Sequence, residues 1–431
     1  MAQTSSCPSN TSRGNPVEVA TGQKVETVTD FSTEGPRPLQ FIRYYRSNDN
    51  VTGNTDISKT MLGRAWRSNF DTKLGLEPSS STLTNPFDGK TIHAVFPEGQ
   101  VMAFIYNAAT QQYLPAYVDA SSPDVFRWLR GRTDANYVLN VDNSAQQEIT
   151  IRKPDNVVYA YTFAGALKEI RWPDGYKQTI GGGGHSVQDS LGRYLDFGGN
   201  SSTGYLETLT VPGGQVIRYS YLPRIRDLNG VIIPNPGYIH DALVLEKVSY
   251  PDATPAVLTD NPTVTYHYEN AEFMYALTGI TDERNVRFAT WVYDAQGRAI
   301  SSSHAGGTET TTFAYDDVNN IRTVTNALGR QTVYKFAFGQ GGSVRRLTEV
   351  DGIATANCAA SDTTYAYDAN GFVNQKTDAE GRITQYVNNT RGLPTSMTEG
   401  LGTPEARTTA YTWHATLSLP AQIWRHGSHP Q

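Results

Sequence analysis

Several short runs carry residue types that could do chemistry. Gly184-His185-Ser186 opens like the sharp turn that presents a serine nucleophile, but Gln188 stands where the closing glycine belongs. The glycines at 181–184 read as a hairpin turn. Asp88-Gly89-Lys90-Thr91 ends like a phosphate loop, yet Thr84 occupies the earlier glycine position and no helix pattern follows. The eight histidines are scattered, with neither His-Glu-x-x-His nor Cys-x-x-Cys among them. His267, between Tyr266 and Tyr268, lies in a strand-like stretch and is expected to face solvent. Asp294, Asp378 and Glu380 could pair as carboxylates, but their positions in turns account for them. The Gly-Gly-x-Gly-x-Asp calcium repeat is absent. Cys7 and Cys358 are too few for a disulfide framework. The expectation is a non-enzyme with no catalytic, cofactor or metal site.

The elements that would position such residues read as β. The chain has 431 residues, with 38 Gly, 22 Pro and 25 Tyr. Tyr, Thr and Val suit pleated, half-buried surfaces, and Gly, Asn and Asp suit tight turns. The net charge is −6, and Lys and Arg form no block, which disfavours nucleic acid as a partner. No run of 18 apolar residues spans a membrane, and the start lacks the apolar centre of a signal peptide. Residues 1–12 read as a disordered leader. Strands are expected near 25–31 and 39–46, then a polar loop at 48–58 and a Trp66-centred segment. Hairpins follow, such as 92–96 with 101–106 and 157–163 with 167–172. Little supports a helix, and one short helical turn is expected at 270–277.

From about residue 280 a unit recurs: Asp or Asn, two residues, Gly or Asn, often then Arg. It begins at Asp282, Asp294, Asp316, Asn326, Asp368, Asp378 and Asn389, with an earlier copy at Asp189. The steps are 12, 22, 10, 42, 10 and 11, near multiples of a turn of four plus a strand of about six. A missing node is partly visible as Ser303 to Gly306. The acidic or amide side chain accepts bonds from the turn's own N–H groups. The fourth residue needs a left-handed backbone, so Gly297, Gly329, Gly371 and Gly381 are expected at positive φ, with Asn285 and Asn319 as substitutes. Tyr293-Asp294, Tyr315-Asp316 and Tyr367-Asp368 are full Tyr-Asp pairs, and Tyr334 and Tyr386 stand at like positions. These tyrosines are read as structural rings stacked along a sheet.

Tyr293-Asp294-Ala295-Gln296-Gly297-Arg298 and Tyr367-Asp368-Ala369-Asn370-Gly371 resemble the YD repeat of Rhs proteins, which also occurs in teneurins and in the C component of Tc toxins. The repeat residues carried by the resemblance include Arg298, Gly329-Arg330 and Gly381-Arg382. Gly14-Asn15-Pro16-Val17, Pro38 to Tyr45 and Leu62-Gly63-Arg64-Ala65-Trp66-Arg67-Ser68-Asn69-Phe70 resemble a domain of unknown function that precedes those repeats, with Ala65 where a second glycine is usual. Phe41, Tyr44, Trp66 and Phe70 are expected to be its core.

The resemblance implies an all-β antiparallel meander winding into a curved, partial shell, with an amino-terminal capping domain at 13–76 that is expected to cap the first turns and cover the terminal edge of the sheet. A hairpin-rich region would follow at 77–240 and the repeats at 241–431. It implies the wall of a bacterial, secreted shell that encapsulates and delivers a carboxy-terminal toxin. No Asp-Pro of the family's self-cleavage segment occurs, so the toxin and further repeats are expected downstream. A secretion-system component is a further expected partner. The alternative is a surface module binding carbohydrate or protein. Residues 419–424 are expected to be a last, open-edged strand that promotes self-association.

Overall fold

The structure is a computed structural model. It describes residues 12–47, 60–77, 91–99, 101–107, 109–118, 128–129, 136–142, 147–199, 204–226, 232–233, 243–254, 257–338, 345–354 and 360–427. Both cysteines, the leader up to residue 11, the loop at 48–58 and the Asp88-Gly89-Lys90 run lie outside them.

Strands and turns make up the described chain, apart from one 3-10 turn at Ala305–Gly307. Turn chemistry explains why the chain reverses so often. At Asp294 the side-chain Oδ1 accepts the N–H of Gln296 at 3.0 Å and of Arg298 at 2.9 Å. The Gly297 N–H donates to the Asp294 carbonyl at 3.0 Å, and Gly297 sits at φ 75°. Each such turn hands the chain back antiparallel to itself. The outcome is one continuous antiparallel ladder. It starts at Lys73–Glu77, passes through Thr91–Val95, Val101–Asn107 and Gln112–Val118, and reaches Val138–Asp142. From there successive strands pair in order to Pro420–Gly427, passing directly from Val216–Pro223 to Leu243–Ser249. Among the described residues the ladder is open: Pro420–Gly427 pairs with Arg407–Trp413 alone, and Lys73–Glu77 with Thr91–Val95 apart from one bridge from Lys73 to Ala166.

Side chains alternate along every strand, so one face of the ladder looks inward throughout. Phe197, Leu209, Ile217, Tyr219, Val248, Tyr266, Ile280, Trp291, Phe313, Val324 and Tyr334 follow one another on that concave face, and all are buried.

A separate three-stranded sheet lies against it: Val25–Ser32, Gln40–Arg46 and Trp66–Ser68. Capping therefore takes a different form from the one expected. The amino-terminal domain covers the concave face along the middle of the ladder, not its terminal edge. The physical reason is area: its large aromatic rings bury far more apolar surface against a concave wall than along one strand edge.

Tyr44 is a second correction. It is half-buried, while Phe41, Arg43 and Tyr45 are fully buried. Residues 41 and 44 are an odd number apart, so one strand cannot turn both inward.

Candidate functional site

Two kinds of contact recur in the described chain and hold the curved wall in shape. Two sets of residues make them.

The first set is the repeat unit. Gly297, Gly329, Gly371 and Gly381 have φ of 75°, 75°, 86° and 75°. Asp368 and Asp378 accept two backbone N–H bonds each, as Asp294 does. The arginine that follows the glycine has a role that sequence reasoning left unassigned. Arg298 Nε donates to Asp294 Oδ2 at 2.8 Å, Arg193 Nε to Asp189 at 2.7 Å and Arg382 Nε to Asp378 at 2.8 Å. It clasps the carboxylate whose other oxygen organises the turn. Arg330 follows Gly329 in the Asn326 turn, where the amide Oδ1 accepts the Leu328 and Arg330 N–H groups at 3.0 Å. The Asp316 turn departs from the pattern: Asn320 and not Asn319 carries the positive φ, of 55°. Asp316 pairs with Ile321 there, so the loop is one residue longer.

The Tyr hydroxyls were also unassigned. Tyr293 donates to the Leu277 carbonyl at 2.6 Å, Tyr315 to Ala299 at 2.5 Å and Tyr367 to Leu347 at 2.6 Å. Tyr221 and Tyr268 do the same to Leu206 and Leu245, without an Asp after them. Each ring packs inward, and its hydroxyl is bonded to a carbonyl at or beside the preceding strand. A buried phenol needs such a partner. Burial raises the pKa of Tyr293 and Tyr315 far above the ordinary phenol value.

The second set joins the amino-terminal domain to the wall. Phe41 lies 5.7 Å from the Phe197 ring and 6.1 Å from Tyr219, and Phe70 lies 5.8 Å from Phe197. Trp66 packs 4.8 Å from Tyr266 and donates its Nε1–H to the Tyr268 hydroxyl at 2.8 Å. At the centre is a fully buried ion pair. Arg43 Nε and Nη2 donate to the two oxygens of Asp30 at 2.6 and 2.8 Å. Tyr219 and Tyr250 donate to the same carboxylate at 2.8 and 2.7 Å, and Arg43 donates to Tyr266 at 3.0 Å. Burial works against the guanidinium's charge, but Asp30 and then Tyr266 outweigh it and raise its pKa. Burial first, and Asp30 second, raise Tyr219 well above the usual phenol range. No local pattern in the sequence signalled this cluster, because Arg43 meets Tyr266 from 223 residues away.

Two residues from the runs with apparent chemistry lie in strands. Ser186 is buried in a strand, paired with Gly181 and Asp196. His267 is half-buried, its Nε2 2.7 Å from the Thr281 hydroxyl, where a solvent-facing side chain was expected. Among the described residues, no group of three or more His, Cys, Asp or Glu is arranged to hold a metal ion, and no helix is long and apolar enough to cross a membrane.

A wound all-β wall built from Asp-clasped turns and Tyr-sewn strands is a repeat protein. Residues 293–331 match the family described as RHS Repeat, and residues 14–93 match a domain of unknown function, DUF6531. The chain thus carries an RHS repeat behind this domain of unknown function. Among solved structures it is similar to the crystal structure of TcdB2-TccC3-Cdc42, at 9% identity and TM-score 0.33, over 98% of this chain and 27% of that one. The crystal structure of TcdB2-TccC3 is similar at 10% identity and TM-score 0.25, over 96% of this chain and 31% of that one. A porin-like protein from Bacteroides uniformis is similar at 12% identity and TM-score 0.18, over 67% of this chain and 93% of that one. The chain thus spans under a third of the length of the first two.

Proposed function

We propose that this chain is part of the wall of a bacterial, secreted shell that encloses and delivers a toxin polypeptide, and that it performs no catalysis itself. One observation carries the reading. The concave face that the amino-terminal domain fills continues past Leu347 through Tyr365, Tyr386, Met397, Tyr411 and Trp413, all half-buried. Tyr411 and Trp413 stack 6.1 Å apart. Such a row of ring faces and thioether suits an extended, unfolded polypeptide, because it offers apolar contact with no fixed shape. A disordered reporter polypeptide fused behind Gln431 tests this. Slower protease digestion than for the free reporter is expected, and digestion at an equal rate would overturn the shell reading.

A further inference from the structure

Consecutive turns of an antiparallel ladder fall on opposite rims, because each strand reverses direction. Following the pairings from Glu148–Arg152 to Arg407–Trp413 puts the turn at 153–157 on one rim and the turn at 414–419 on the other. These two turns touch. The Ser418 N–H donates to Asn156 Oδ1 at 2.7 Å, and Asn136 Nδ2 donates to Ser418 Oγ at 2.6 Å. Contact between opposite rims means that the sheet rises as a ramp, one winding resting on the next. Arg152 ends its strand at the first of these rims and Arg391 lies in a turn on the other; burial first, and then the charge of Arg391, lower the Arg152 pKa.

Asn156 is unusual for its position. It has φ 68° in a turn whose counterparts elsewhere are Gly165, Gly175, Gly192, Gly297 and Gly371. Glycine takes that conformation without penalty, and Asn only tolerates it. Asn285 shares the conformation, at φ 60°, in a turn whose Asp282 makes the usual local bonds. What sets Asn156 apart is an amide that reaches a residue 262 positions away, at 6% exposure.

We infer that Asn156 is the clasp holding one winding of the sheet to the next, and that the wall parts along this seam before it parts anywhere along the ladder. Within the ladder, neighbouring strands share rows of backbone bonds. Across the seam the described residues offer two side-chain bonds and two like charges. Segments held that way open at lower free energy than a continuous ladder. The clasp belongs to the wound sheet itself, so its failure would leave the shell reading standing.

Amide hydrogen exchange on the full chain tests the clasp, using Asn156→Gly, Asn156→Asp and Asn285→Gly. Gly at 156 keeps the backbone conformation and deletes the acceptor, and Asp restores an acceptor. The expected result is about tenfold faster exchange at Ser418 in N156G, the loss of one ordinary hydrogen bond. Val248 and Val324 should exchange as in the parent, and N156D and N285G should match the parent at Ser418. Unchanged exchange at Ser418 in N156G would overturn the clasp, as would an equal acceleration in N285G. Faster exchange at Val248 or Val324 together with Ser418 would overturn the claim that the seam parts first.

Discussion

Two stretches of one ladder, residues 186–347 and 361–427, share the same turns and the same alternation but differ in what lies against their concave face. In the first stretch the amino-terminal domain fills it, and inward side chains such as Val187, Leu209, Tyr219, Val248 and Val324 are buried. In the second, the buried side chains among the described residues shrink to Phe372, Leu393 and Thr409. The turns keep their form in both: Gly297 and Gly381 have the same φ of 75°. Backbone shape is thus set turn by turn, and burial by the filling.

The largest effect should come from the keystone of the filled stretch. Arg43→Ala leaves the Asp30 charge buried without its cation, a loss of about 3–5 kcal/mol. Urea denaturation measures it, and a loss below about 1 kcal/mol would mean that the domain is not keyed there.

The aromatic rows come next. Phe313→Ala should cost about 3–5 kcal/mol, and Tyr365→Ala roughly half of that or less, because its ring is already half in solvent. Equal shifts in denaturation midpoint would erase the contrast between the two stretches.

Glycines separate backbone from packing. Gly329 at φ 75° has open space around it, so Gly329→Val should cost about 1–3 kcal/mol from the left-handed conformation alone. Gly392, at φ 73°, lies against the Phe372 ring, and a Cβ there would collide with it. Gly392→Val should therefore lose more than Gly329→Val in the same assay.

Alkaline titration probes the filled stretch again. Lys24 is fully buried, bonded to the Val25 carbonyl and to Glu26, 4.2 Å over the Trp291 ring. Burial, against the opposing pull of Glu26, lowers its pKa from 10.5 to about 8. Between those values the unfolded chain binds a proton that the folded chain has released, so stability rises with pH across that window. Tyrosines act in the opposite direction. Burial pushes Tyr266 up from 10.0 to about 12, so the folded state keeps a proton that the unfolded state loses, and stability falls over that range. Thermal melts should therefore peak near the overlap of the two windows, about pH 10, and Lys24→Met should abolish the rise from pH 8. A variant that keeps the rise would assign it to another group.

The smallest effect belongs to a clasp on the open stretch. Arg382 is 66% exposed beside Asp378, so Arg382→Ala should change stability by no more than about 0.5 kcal/mol. A larger loss would make the arginine a main support of its turn, in contrast with Arg43.

The amino-acid sequence by itself determined the turns and the strand period. An Asp at one position, a Gly three residues on and an Arg after it satisfy one another within five residues, so no distant partner is needed to read them. Where two neighbours were equally suited, at Asn319 and Asn320, the pairing of Asp316 with Ile321 chose between them. The strand at Gln40–Arg46 was legible as a strand, but its inward set of Phe41, Arg43 and Tyr45 was not, because Arg43 becomes an inward residue only beside Asp30 and the tyrosines of a distant wall. Tertiary structure alone decided three things: that the amino-terminal domain lies inside the curve, that Arg43 meets Tyr266 223 residues away, and that Asn156 meets Ser418. The physical reason is range. Turn chemistry acts between neighbours in the chain, whereas the curvature accumulated over many strands determines which distant faces arrive together, and no local pattern records that sum.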